Sequence, residues 1–412
     1  MNLYIFNETR PAAIFGVGTY IRELTMALRH SNINVNIVNL KLEKPQIPID
    51  EIEGIRYWYF PAPIPEQRTI DYQTQMKLYH RNIVYLLQLQ IADKKNLIFL
   101  LNYIECKPLS DALQTAFDCK IVLVVHYLNS IMTLSGNISR FRRIISQTDE
   151  PMEVEDRVAK ESFFQEKDMF HAVDKIICLS NHTFDMLHQD YLIAKEKMVI
   201  IYNGLNDMVE KTTNIKILQK KWHFSAKEKI ILFVGRIIET KGVSFLIKAF
   251  REVLIKCPNC RLMIAGNGSY DTYLMEAKDI CTKITFTGLL EKKDLYELYS
   301  IADIGVMPSF IEQCNYVAIE MMMHDLPMIT NTAPGLAEMT EEGISSLQVP
   351  ILEHPNKVEI DTDFFAEKML FLLRNSEERK RMGTNARKRY EQLYLSEMFR
   401  KNMINFLKSQ IH

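Results

Sequence analysis

Ile230-Ile-Leu-Phe-Val-Gly-Arg-Ile-Ile-Glu-Thr-Lys-Gly242 decides how this chain is read. Ile230 to Val234 is an unbroken apolar, largely β-branched run, as expected of a strand covered on both faces, and Gly235 ends it. Helical spacing of apolar residues resumes at Val243. Strand, glycine turn and helix in that order are the repeating unit of a doubly wound parallel sheet, whose ligands settle beyond the carboxyl ends of its strands. Arg236 and Lys241 lie in the turn, close to the helix N-terminus. There the amide dipoles favour an anion, an arginine offers a bidentate fork and a lysine adds a point charge, which together suit a diphosphate. A solvated basic loop has the same composition, so the segment needs support from the rest of the chain.

Outward from it the pattern recurs. Strands are expected at Leu3 to Phe6, Val35 to Asn39, Arg56 to Tyr59, Leu97 to Leu101, Ile121 to Val125, Lys175 to Leu179 and Met198 to Tyr202. A second series comprises Ile230 to Val234, Arg261 to Ala265, Ile284 to Thr287, Ile304 to Met307, Pro327 to Thr330 and Ser346 to Val349. Helical patterns alternate with both series, and 412 residues are enough for two cores. The expected division is 1–205 and 206–384, after Asn203-Gly204, with a terminal helix over 385–412 expected to pack back on the N-terminal domain. Glycines are few, 14 in all, and five follow expected strands: Gly204, Gly235, Gly266, Gly268 and Gly288. That placement suits a ligand needing close approach to backbone.

Composition removes several classes. The formal charge of -1 leaves no footprint for nucleic acid. No apolar run approaches the ~18 residues of a membrane span, and Leu3 to Phe6 is too short for a secretory signal, so a cytoplasmic location is expected. Seven scattered cysteines read as buried thiols. Cys257-Pro-Asn-Cys260 follows a helical pattern instead of opening one, and so reads as a helix-to-strand connection. Asp361-Thr-Asp363 precedes a helical run and reads as capping, at Thr362 or Asp363, not as a metal site.

Glu312 and Glu320 form the second constellation, with a helix beginning between them. Carboxylates so placed can accept hydrogen bonds from vicinal sugar hydroxyls, although glutamates on surface helices are commonplace.

At this point a resemblance extends over nearly the whole chain. It is carried, in order, by Gly16-Val-Gly18, His126, Ser180, Asn203-Gly204, Gly235-Arg236, Lys241-Gly242, Gly266-Asn-Gly268, Thr287-Gly288, Ala302-Asp303, Pro308-Ser309, Glu312 and Glu320. The chain resembles the family 4 glycosyltransferases, retaining enzymes of GT-B architecture. The resemblance implies an α/β fold of two Rossmann-like domains facing across a cleft, and transfer of a sugar from a nucleotide diphosphate sugar to an acceptor hydroxyl without metal or other cofactor. By the same resemblance Arg236 and Lys241 hold the donor diphosphate, Glu320 the ribose and Glu312 the transferred sugar, while backbone near Leu289 meets the base. Gly16, Gly18, Gly235 and Gly266 join the donor set, Gly16 and Gly18 by letting first-domain backbone approach the reacting centre, and His126 lies near the donor sugar and acceptor. A UDP-sugar is expected ahead of a GDP- or ADP-sugar, and the acceptor is a saccharide, lipid-linked glycan or peptide. The stretch Phe6 to Gly16 also resembles a subgroup linked to peptide tailoring.

The chain departs from the family at Gln313-Cys314-Asn315, where a Gly-Phe-Gly-like run is usual. Side chains are thus expected where bare backbone faces the sugar. A non-catalytic sugar-nucleotide binder and a GT-B epimerase are the alternatives this leaves open. A dinucleotide-dependent oxidoreductase is disfavoured, because Gly16-Val-Gly18-Thr-Tyr-Ile lacks the third glycine of that fingerprint. In the irregular region Asn129 to Ala172, Arg140, Arg142 and Arg143 beside Ile138, Phe141, Ile144 and Ile145 suggest either an ordinary solvated helix or at most a peripheral contact with a membrane or anionic acceptor.

Overall fold

The computed structural model describes residues 1–8, 16–42, 49–63, 71–147, 153–209 and 214–411. They form two compact units, one of Met1–Asn129, Lys160–Gly204 and Ser396–His412, the other of Ser130–Ala159 and Leu205–Leu395.

The first unit is built on an eight-stranded sheet of β1 (Asn2–Glu8), β2 (Asn34–Leu42), β3 (Ile49–Ile52), β4 (Ile55–Pro61), β5 (Leu97–Leu101), β6 (Cys119–Val125), β7 (Lys175–Cys178) and β8 (Met198–Ile200). Its order is β3-β4-β2-β1-β5-β6-β7-β8, so the winding direction reverses between β1 and β5. Every pairing is parallel except β3 with β4. Leu97–Leu101 is buried at every position and Ile121, Val122, Leu123, Val124 and Val125 are 0% exposed, the signature of central strands with helices on both faces.

The second unit holds β9 (Lys229–Val234), β10 (Cys260–Ala265), β11 (Ile284–Gly288), β12 (Ile304–Met307), β13 (Met328–Asn331) and β14 (Ser346–Val349), all parallel, in the order β11-β10-β9-β12-β13-β14. This is the doubly wound dinucleotide-fold order, with its switch point between β9 and β12. A separate hairpin joins β15 (Ile351–Glu353) to β16 (Val358–Ile360).

The expected strands are present within three residues of their ends. β3, β15 and β16 are not among the expected strands: each is only three or four residues long, too short for a periodic signal, and β3 and β15 are largely exposed. It also gave 1–205 to the first domain, whereas contacts give Ser130–Ala159 to the second unit. The reason is a polar lattice inside that unit. Arg140, its side chain 3% exposed, pairs with Asp156 at 2.7 Å, Glu153 at 2.9 Å and Glu155 at 3.3 Å. Asn137 donates to the carbonyl of His354 at 2.7 Å, and both carboxylate oxygens of Glu353 accept from the amides of Ile138 and Ser139 at 3.0 Å. Phe141 and Ile144 are buried beneath. In the helix Ile138–Ser146, Arg140, Phe141 and Ile144 are thus buried within its own unit, while Arg142 and Arg143 are exposed. The C-terminal stretch also divides, with Ser396–His412 in the first unit, where Phe399 packs edge-on to Tyr20 at 5.7 Å.

Candidate donor site

Gly235 follows β9, and the loop that starts there ends at the helix Val243–Lys256. Gly242 caps that helix at φ 69, a left-handed conformation only glycine adopts freely, and a Cβ on it would strike the Pro308 carbonyl. The loops after β9 and β12 are thereby pressed together across the switch point, and the Phe310 amide donates to the Thr240 carbonyl at 2.9 Å. Among the described residues no side chain caps the helix N-terminus, which leaves its first amides able to meet an anion. Arg236 is half-buried beside this loop and has no side-chain partner among the described residues. Lys241 reaches across the switch point, its Nζ 2.5 Å from Oε1 of Glu312, with both side chains secluded.

Glu312 is set by its neighbour. Gly335, next to Pro334 at the start of the helix Pro334–Met339, lies so close to the Glu312 and Gln313 carbonyls that a Cβ would collide with both. The departure at Gln313-Cys314-Asn315 resolves residue by residue. Cys314 is buried, and the Asn315 side chain caps the helix Tyr316–Met323, accepting from the amides of Val317 at 2.7 Å and Ala318 at 3.2 Å. Gln313 and Asn315 are half-buried, and of these two Asn315 is engaged as the helix cap.

Glu320 lies on that helix and is 3% exposed. Its Oε2 accepts from the Tyr299 hydroxyl at 2.9 Å and its Oε1 pairs with Lys292. Burial, and then the Glu320 charge, push the Tyr299 phenol well above its ordinary range, so it stays a donor. Behind it His324 bonds the Glu320 carbonyl through Nδ1 at 2.8 Å, its ring tilted against Tyr299 at 5.2 Å. Sequence reasoning missed Lys292 and Tyr299, whose separations of 28 and 21 residues from Glu320 follow no motif spacing. Gly266 is buried at the end of β10, where its amide donates to Gly288 at 2.9 Å, and Leu289, beyond β11, is 60% exposed.

The remaining expected residues lie in the first unit. Gly16 and Gly18 fall in the opening turn of the helix Gly16–Leu28, not in a loop, and the space where Gly16 would carry a Cβ is open. Residues 9–15, which carry most of the peptide-tailoring resemblance, lie outside the described residues. His126 follows β6 and is half-buried, with its Nε2 2.9 Å from Asn102 Oδ1. Burial lowers its pKa to about 3, so the imidazole is neutral at pH 7.

Asp361, not Thr362 or Asp363, caps the helix Thr362–Arg374, accepting from Asp363 and Phe364 at 3.1 and 3.0 Å. Among the described residues no cluster of three metal-ligating side chains is present, and no helix is long and apolar enough to cross a membrane.

Two family models match the chain in succession: "Glycosyltransferase Family 4" over residues 14–208 and "Glycosyl transferases group 1" over residues 214–389. This chain belongs to the family 4 glycosyltransferases. Among relatives, an uncharacterized glycosyltransferase of Methanocaldococcus jannaschii is 30% identical over 187 residues, 42% of this chain and 46% of that protein. The alpha-D-kanosaminyltransferase of Streptomyces kanamyceticus is 25% identical over 52% of this chain and 56% of its own length. The chain thus matches about half the length of these curated relatives. Among solved structures, a sucrose-phosphate synthase from Thermosynechococcus elongatus superposes with a TM-score of 0.78 at 18% identity, covering 100% of this chain and 99% of that one. HepE of Anabaena, solved with UDP and glucose, superposes with a TM-score of 0.72 at 14% identity over 99% of this chain and 100% of its own. At such identities these likenesses establish the two-domain GT-B fold of the family.

Proposed function

We propose that this protein is a retaining, metal-independent glycosyltransferase that moves a sugar from a nucleotide diphosphate sugar to an acceptor hydroxyl. The observation that carries this reading is the Lys241–Glu312 contact of 2.5 Å across the switch point of the second sheet. It joins a cation suited to the leaving diphosphate to a carboxylate suited to sugar hydroxyls.

Arg236, Lys241 and the open N-terminus of Val243–Lys256 bind the diphosphate and offset its growing charge, the task a metal performs elsewhere. Glu320, fixed from behind by Tyr299, takes the ribose hydroxyls, and Glu312 those of the transferred sugar. The bond from the anomeric carbon to the diphosphate oxygen breaks with its electron pair on that oxygen. The acceptor oxygen bonds the same face, and its proton passes to the departing phosphate. The protein supplies positioning and electrostatic stabilisation and no covalent nucleophile. Gly235, Gly266 and backbone at Leu289 complete the donor surface, with Gln313 the side chain that tunes sugar choice. His126 serves the donor sugar and the acceptor, and Gly16 and Gly18 belong to the donor-binding set. A UDP-sugar is the favoured donor, in keeping with the UDP in the HepE structure. A saccharide, lipid-linked glycan or peptide is the acceptor, and the cytoplasm the place of action.

The test is a ligand-observed binding screen of UDP-, GDP- and ADP-sugars, followed by turnover with the best binder in the presence of a chelator. Saturable binding and chelator-insensitive nucleotide release are expected. Absence of binding by every donor would overturn the reading, and loss of turnover to the chelator would overturn its metal independence.

A further inference from the structure

His126 stands beyond β6, yet the group it contacts belongs to neither its own strand nor its own loop. Asn102 follows β5, and its side chain is 1% exposed between two partners. Its Nδ2 lies 2.9 Å from the carbonyl of Phe6 on β1, and its Oδ1 lies 2.9 Å from Nε2 of His126. A backbone carbonyl can only accept, so the Asn102 atom facing Phe6 is the NH2 group and the atom facing His126 is the carbonyl oxygen. That oxygen can only accept in its turn. The proton of the neutral imidazole therefore sits on Nε2, and Nδ1 carries the lone pair. Among the described residues no donor reaches Nδ1. Tyr20, fully buried, closes one side of the ring edge-on at 4.8 Å, and its hydroxyl has no hydrogen-bond partner among the described residues.

We propose that Asn102 is a positioning residue: anchored on the Phe6 carbonyl, it locks His126 in the Nε2–H form so that Nδ1 is presented as an acceptor for a substrate hydroxyl. Placement in the fold supports this. Phe6 and Asn102 flank the switch point of the first sheet, between β1 and β5, where doubly wound folds receive ligands. The relay of carbonyl, amide and imidazole runs along that line and ends at the half-buried His126. A histidine that merely filled space there would not require a buried amide held at both ends. The proposal rests on the reading of His126 as a substrate-facing residue, but the tautomer itself does not depend on any substrate.

The test is long-range 1H–15N correlation of the histidine rings in the full-length, unliganded protein at pH 7, with His126 assigned by its substitution. The native protein is expected to show His126 as the neutral Nε2–H tautomer. Asn102→Ala is expected to shift it toward a mixture of the two neutral forms and to lower kcat on the order of tenfold with donor KM little changed, as loss of one oriented hydrogen bond would. An Nδ1–H tautomer in the native protein would overturn the proposal even if the variant failed to fold. So would an Asn102→Ala protein with an unshifted tautomer and unchanged kcat. The expected tautomer in a protein that transfers no sugar would leave the role of Asn102 in place and refute the proposed activity instead.

Discussion

Glu312 and Glu320 each hold a lysine, but the two pairs are built in opposite ways. In Lys241–Glu312 both partners are withdrawn from solvent, at 15% and 9% side-chain exposure. In Lys292–Glu320 the carboxylate is at 5% but the lysine at 48%, and a second, buried partner, Tyr299, grips the other oxygen. A secluded pair has desolvated both charges, so removing either partner strands the other, whereas an exposed lysine can swing into water at little cost. The first pair thus fits the end of the site where charge is redistributed during reaction. The second fits an anchor whose outer oxygen is lightly covered until a ribose replaces the ammonium.

The contrast can be broken by substitution. Lys241→Ala is expected to have the largest effect, lowering kcat by about 100-fold through loss of one preorganised charge on the leaving group, as measured by nucleotide release at saturating donor. A loss confined to KM would place Lys241 in ground-state binding and end the distinction between the pairs. Tyr299→Phe removes a buried hydrogen bond to a charged acceptor, worth about 1.5 to 3 kcal/mol. It should weaken donor binding by roughly tenfold in calorimetry and leave kcat within about twofold. Lys292→Ala should do least: donor affinity within about twofold of the parent, since exposed ion pairs contribute about 0 to 1 kcal/mol. A tenfold loss there would mean that Lys292 itself touches the nucleotide.

Much of this was legible in the residues. Leu97–Leu101 and Ile304–Met307 are bounded as their apolar runs suggest, because strands buried on both faces leave an uninterrupted signal. The donor residues were legible as an ordered series of motifs. Their partners were not. Lys292 and Tyr299 sit in an ordinary amphipathic helix, and only folding brings them to Glu320. Asn102 left a faint mark, a polar residue directly after a wholly apolar strand, in the relation His126 bears to β6. Arg140 was misjudged for the complementary reason: a basic helix near a surface and one plugged by three carboxylates look alike until the acidic residues are seen to converge.

The Ser130–Ala159 excursion bears on how such enzymes can be recombined. Chimeras that exchange donor halves between relatives are naturally cut at the hinge near Gly204 and Leu205. Here such a cut would leave behind the helix that holds Arg140, together with the amides that Glu353 caps. The incoming half would arrive with a hairpin fitted to a helix it no longer owns. In this protein the exchangeable module is discontinuous, and a working graft must carry both of its pieces.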